Sequence, residues 1–222
     1  MPNLTLNDVS YQYRSAQTPA VANISCSFKP GRMYAVVGPS GSGKSTLLSL
    51  LAGLDAPTEG AITFGDANLA EMDLDKYRRQ DIAMIFQSFQ LFPLLSAMEN
   101  VCYPMELCGV TKEAAIPRAT MLLESVGITP AQMKRYPNNL SGGEQQRVAI
   151  ARSLSAGAKT LLADEPTGNL DEANTGNVMD ILRKLAHEDG YCVVIVTHDL
   201  EAAAVADEIY RMRDGRLSVE KG

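Results

Sequence analysis

Residues 33–46 read MYAVVGPSGSGKST, and this stretch decides the architecture. The apolar run Met33 to Val37 is followed at once by Gly38 to Thr46, the pattern G-x-x-x-x-G-K-[ST]. That pattern sits where a buried strand hands over to a helix. Gly41 and Gly43 let the backbone turn tightly enough for successive N–H groups to converge on an anion. A helix starting near Lys44 adds its dipole and its unpaired N–H groups. Lys44 supplies a point charge for outer phosphates, and the Ser45 hydroxyl can ligate Mg²⁺. Gly38, Ser40, Ser42 and Thr46 complete the loop. A glycine-rich turn that binds nothing is the alternative, and the strand before the loop weighs against it. The expected ligand is a nucleoside triphosphate.

Working outward, three further apolar runs match the first: Ile82 to Phe86, Thr160 to Ala163 and Cys192 to Val196. They are near-continuous rather than alternating, as strands covered on both faces of a parallel sheet must be. Each run ends in groups able to do chemistry: Gly38, Gln87, Asp164 with Glu165, and His198. Ligands of open α/β sheets bind beyond the carboxyl ends of the strands. Four separate segments are therefore expected to deliver their groups to one rim.

The flanks read differently. Leu4 to Leu6, Ile24 to Phe28 and Ala61 to Phe64 are short strand-like pieces between turn residues, suggesting a small antiparallel lobe. From Ser96 to Ala156 the signals are helical. Ser96-x-x-Glu99, Thr129-x-x-Gln132 and Ser141-x-x-Glu144 are capping-box patterns, and Gly127 and Gly157 suit positions past helix ends. Asp171 to Glu188 has Val178, Ile181, Leu182 and Leu185 on one side, a further helix, and Asp214-Gly215 signals a hairpin.

Composition narrows the classes. The chain has 222 residues, is 45% hydrophobic and carries a net charge of −6, so a broad basic footprint for nucleic acid is not expected. No apolar run approaches the roughly 18 residues that span a bilayer. The N-terminus MPNLTLND has neither a basic nor an apolar leader region. Cys26, Cys102, Cys108 and Cys192 show no metal spacing and read as reduced thiols, so a cytosolic protein is expected.

Two motifs remain. Leu161 to Glu165 is a buried strand ending in adjacent carboxylates, whose mutual repulsion calls for a cation or a proton nearby. Asp164 would serve Mg²⁺ through water, and Glu165 would be the base for an attacking water. A solvated acidic turn is the bland alternative. LSGGEQQR, Leu140 to Arg147, could be a mere helix start, but two glycines inside a helix each cost about 1 kcal/mol relative to alanine. Close backbone approach to an anion would explain them.

LSGGEQQR together with GPSGSGKST and LLADEPTGNLD resembles the nucleotide-binding subunit of an ABC transporter, from about Leu4 to Leu217. Gly53 to Gly60, Phe86 to Pro93 and Gly168 to Asp171 resemble its branch of lipoprotein-releasing, macrolide- and peptide-exporting, heme-exporting and cell-division ATPases. The resemblance implies an α/β fold: a P-loop NTPase (RecA-like) core with a mostly parallel sheet, a small antiparallel β lobe and an inserted α-helical subdomain. The expected partition of a single 1–222 domain is a β lobe of 1–32 and 55–75, a core of 33–54, 76–88 and 158–222, and a helical subdomain of 89–157.

It also implies roles. Tyr13, or alternatively Tyr11 in the same expected strand, resembles the aromatic that stacks on adenine. Gln87 resembles the residue that touches Mg²⁺ and the attacking water and senses the membrane partner, and His198 the switch residue at the γ-phosphate. Asp171 resembles an aspartate that communicates across a dimer, although a helix N-cap is its plain reading. Ser141, Gly142, Gly143 and Glu144 would serve the nucleotide of a second copy, two copies closing head-to-tail around two ATP molecules. ATP and Mg²⁺ are the implied ligands. An integral membrane permease near Gln87 to Leu95 is the implied partner, which would hold the subunit at the cytoplasmic face of the membrane. A DNA-repair ATPase would carry a long coiled coil or zinc insertion, and the short stretch 88–139 has no heptad run or cysteine cluster. A regulatory module with little hydrolysis is the other class, against which Glu165 and His198 argue.

Overall fold

The computed structural model describes residues 1–221. In chain order the elements are β1 Leu4–Tyr11, β2 Val21–Phe28, β3 Arg32–Val37, α1 Lys44–Leu51, β4 Glu59–Phe64, β5 Ala67–Asn68, α2 Leu74–Gln80 and β6 Ile82–Ile85. There follow α3 Ala97–Leu107, α4 Lys112–Ser125, α5 Pro130–Met133, α6 Gly142–Ser155, β7 Thr160–Asp164 and α7 Glu172–His187. The chain ends with β8 Cys192–Thr197, α8 Leu200–Ala203, β9 Glu208–Arg213 and β10 Arg216–Lys221.

The apolar runs form one six-stranded sheet in the order β10-β9-β3-β8-β7-β6. All its pairs are parallel except the terminal β9–β10 hairpin. Both faces are covered, and β3 shows why its sequence cannot alternate in polarity. Met33, Ala35 and Val37 pack under α3, α4, α6 and α7, whereas Tyr34 and Val36 pack on the other side with α1 and the second sheet. Phe28, Tyr34 and Tyr210 stack edge and face at that second contact. The second sheet, β2-β1-β4-β5, is antiparallel. It rests on α1, so the helix that leaves the glycine loop is held between the two sheets.

The helical signals are realised with their caps. Ser96, Thr129 and Ser141 each close a complete capping box, and Gly127 and Gly157 take positive φ just past α4 and α6. One expectation needs correction, and one helix was not foreseen. Strand β1 ends at Tyr11, so Tyr13 is not in it: the ladder with β2 runs through two register shifts to its last pair, Tyr11 with Val21, and the chain then turns with Ala16 N–H donating to the Tyr13 carbonyl. Helix α2 had no apolar periodicity to announce it. Asp73 caps it through two backbone N–H groups, and Tyr77 is its single buried side chain. Among the described residues no helix is long and apolar enough to cross a membrane.

Candidate functional site

A cleft of about 700 Å³ opens at the carboxyl ends of β3, β6, β7 and β8. Tyr13, Ser40, Gly41, Gly43, Lys44, Ser45, Thr46, Gln87, Asp164, Glu165 and His198 line it, with Ala20. Four segments distant in sequence thus meet along one rim, as the strand ends led us to expect.

The loop before α1 is glycine-rich for two physical reasons. Gly41 and Gly43 adopt φ of +78° and +105°, which L side chains rarely tolerate. Gly38 and Gly43 are also crowded: a Cβ on either would lie 2.2 Å from the carbonyl oxygen of Met212 or Ala20. Lys44 is buried, 8% exposed, and its Nζ donates to the carbonyls of Gly38 (2.8 Å) and Pro39 (3.0 Å). The cation is thus curled against its own loop, with no carboxylate partner among the described residues. Ser42 Oγ is buried with no hydrogen-bond partner.

The carboxylates at the end of β7 face different neighbours. Ser45 Oγ donates to Asp164 Oδ1 at 3.4 Å. Burial pushes the Asp164 carboxyl above its ordinary range and Glu165 adds to this, while Ser45 and Lys44 only partly counter it. Glu165 sits at φ +47°, an unusual backbone for a non-glycine residue. That twist turns its carboxylate toward β8, where Thr197 Oγ1 donates to Oε2 at 3.2 Å and His198 Nδ1 lies 2.9 Å from both oxygens. Gln87 is exposed at the rim; its carbonyl accepts from Asn169 Nδ2 (2.9 Å), and its amide lies close to Gly168.

Of the two tyrosines, Tyr13 lines the cleft, with its hydroxyl 3.0 Å from Thr46 Oγ1. Tyr11 meets Tyr13 edge to face and donates to Asp55 instead. Ser141, Gly142, Gly143, Glu144 and Asp171 are not brought to the cleft. Ser141 and Glu144 close the box that starts α6, and Asp171 caps α7. The two helix starts touch: a Cβ on Gly143 would strike the Asn174 side chain at 2.1 Å. Sequence reasoning passed over Ala20, Thr197 and Asn174. Thr197 precedes the flagged His198 and could have been found; Ala20 carries no chemical signal.

The ABC transporter family model matches residues 21–168, well over half of the chain. The chain belongs to the ABC transporter family. YclH, an uncharacterised ABC transporter ATP-binding protein of Bacillus subtilis, is 38% identical over 221 residues, covering 100% of this chain and 98% of its own. The macrolide export ATP-binding/permease protein MacB of Rhodopirellula baltica is 41% identical, over 94% of this chain but 31% of its own. Among solved structures, the ATP-binding cassette MJ0796 in a dimeric post-hydrolysis state with ADP and Pi superposes with a TM-score of 0.87 at 37% identity, covering 99% of both chains.

As an ABC ATPase the subunit binds ATP with Mg²⁺ and hydrolyses it. The residues present fit that cation. Among the described residues no group of three or more His, Cys, Asp or Glu side chains is arranged to hold a metal. Mg²⁺ needs no such cage, because it takes one or two protein oxygens and fills its octahedron with phosphate and water. Ser45 Oγ and Asp164 Oδ1, 3.4 Å apart at the cleft, are oxygens of the kind such a cation takes.

Proposed function

We propose that the cleft holds the triphosphate of ATP, with Lys44 on its outer phosphates and Ser45 and Asp164 holding Mg²⁺. The loop amides of Gly38 to Thr46 line the phosphates, and Tyr13, which faces the cleft where Tyr11 does not, stacks on the adenine. Glu165 accepts a proton from water as the water oxygen bonds to the γ-phosphorus. The bond from that phosphorus to the bridging oxygen breaks, and ADP leaves with the electron pair. The bound cation offsets charge on the phosphate oxygens during this exchange. His198, beside Glu165, faces the γ-phosphate, and Gln87 would reach the water and the metal from the end of β6.

One observation carries this reading: groups from the ends of β3, β6, β7 and β8 line one cleft. Glu165→Gln keeps the shape and removes the base. The expected result is retained ATP binding, phosphate release slowed by about 10²–10⁴-fold and an ATP-locked dimer on gel filtration. Turnover at the wild-type rate would remove Glu165 from this role.

The signature residues Ser141 to Glu144 lie away from their own cleft, which suits service to the nucleotide of a second copy. Two copies would close head-to-tail on two ATP molecules, with Asp171 at the seam. The membrane partner is a permease whose cytoplasmic helix docks beside Gln87 to Leu95, holding the subunit at the cytoplasmic face. Phe92 and Leu94 are exposed there, and Leu94 is 86% so. Arg152 steadies the segment by donating to the carbonyls of Gln90 (2.6 Å) and Phe89 (3.2 Å). Export or force transmission is the direction that the branch resemblance favours.

A further inference from the structure

We infer that Gln146 is a positioning residue for Glu165, tying the twist of the hydrolytic turn to the helix that starts with the signature residues. The inference rests on Glu165 acting as the base. Gln146 lies one turn into α6 from Gly143 and is 1% exposed. Its Nε2 donates to the carbonyl of Pro166 at 2.6 Å, and its Oε1 is buried with no partner.

Pro166 follows Glu165 directly, is buried and has no N–H of its own, so its carbonyl is its sole polar handle. Among the described residues Gln146 is the donor that reaches it. Glu165 needs such support. Its φ of +47° costs energy that the surroundings must hold against relaxation. Glu165 is otherwise held by its N–H to Val196 O (2.9 Å), by Gly168 N–H to its own carbonyl (3.1 Å), and through its carboxylate by Thr197 and His198 of the β8 end. Val196 belongs to β8, and Gly168 closes the turn on itself. Among the described residues, the hydrogen bond that ties the turn to the helical layer is the one from Gln146.

The direction of this tie matters. The residues at the N-terminus of α6 do not line their own cleft, and in the proposed pair they meet the other copy's ATP. A small rotation of α6 would move Nε2 and with it the Glu165–Pro166 peptide. Occupancy of one site would thereby set the base of the other, and the hydrolysis rate would rise cooperatively with ATP.

Gln146→Met separates this from a packing role. Methionine matches the shape, removes the donor and also removes the orphan Oε1. The lost bond to Pro166 and the relieved acceptor oppose each other, so the melting temperature should stay close to wild type. The expected result is a kcat lowered by about tenfold or more, with ATP affinity and melting temperature unchanged. The Hill coefficient for ATP should fall toward one. Gln146→Glu, which sets a carboxylate against the Pro166 carbonyl, should lower kcat further. Glu165→Gln is run in parallel. If it hydrolyses normally, the reading of Glu165 fails. If it is inactive while Gln146→Met keeps both wild-type kcat and cooperativity, the positioning role fails. A kcat lowered only in step with a lower melting temperature, with the Hill coefficient intact, also overturns it.

Discussion

Single residues at the rim are held by opposing demands. Lys44 is buried, and among the described residues its hydrogen bonds go to two carbonyl dipoles of its own loop. A buried ammonium with neutral partners leaves much of its desolvation uncompensated, so an anionic phosphate gains a strong charge-assisted contact there. Lys44→Ala should raise the ATP dissociation constant by at least about tenfold, the loss for one hydrogen bond to a charged group. Fluorescent-nucleotide titration measures it, and undiminished affinity would contradict the assignment. Asp164 shows the reverse demand, since burial penalises its ionised form. ATP with Mg²⁺ should therefore raise the melting temperature of Glu165→Gln clearly more than ATP with EDTA does. Equal shifts would count against a metal at Ser45 and Asp164.

At the scale of elements, α6 is started by the same residues that give the signature its identity. Ser141 Oγ accepts from Glu144 N–H, and the Glu144 carboxylate accepts from Ser141 N–H. Removing such a cap costs about 1 kcal/mol, and Ser141→Ala should lower stability by that much in urea unfolding. Gly143 has a separate reason to be glycine, because Asn174 at the start of α7 fills the space of its Cβ. Gly143→Ala must displace that side chain, so it should be more destabilising than alanine's helix propensity predicts. If Gly143→Ala instead stabilises the protein, the contact between the two helix starts is looser than described. The sequence announced both helices, yet their contact was not legible, because nothing in a linear pattern says which starts will meet.

For the whole molecule, acid stability follows from carboxylates held by the fold. Burial raises the Asp207 carboxyl, but the Met33 N–H and His187 outweigh that and hold it below the ordinary value. Glu99 is lowered by the Ser96 N–H and hydroxyl. Burial likewise pushes Glu144 up, and hydrogen bonds from Ser141 and Gln132 bring it net down. A carboxyl whose folded pKa lies below its unfolded value contributes stability that is present above the unfolded value, 3.8 for Asp and 4.5 for Glu. That contribution is lost as pH falls toward the folded value. Asp164 and Asp81, both pushed up by burial, have the opposite sign: their cost is absent below 3.8 and full above their raised values. With three lowered groups set against these two, melting temperature should drop as pH falls below about 4.5. Asp207→Asn should flatten that acid limb; an unchanged slope would show that Asp207 does not carry it.

The sequence alone determined the parallel core, the glycine loop and the residues at the ends of its four buried strands. Short continuous apolar runs bounded by turn residues fit strands covered on both faces, and the chemistry of such sheets collects at one end. Local spacing likewise specified three capping boxes, because their hydrogen bonds span three residues. Tertiary structure decided what depends on approach between distant segments. Tyr13 rather than Tyr11 reached the cleft because β1 ended early, Asn174 met Gly143, and Gln146 reached the Pro166 carbonyl. Such pairings come from how layers of helix and sheet stack on one another, and neither periodicity nor motif spacing encodes that stacking.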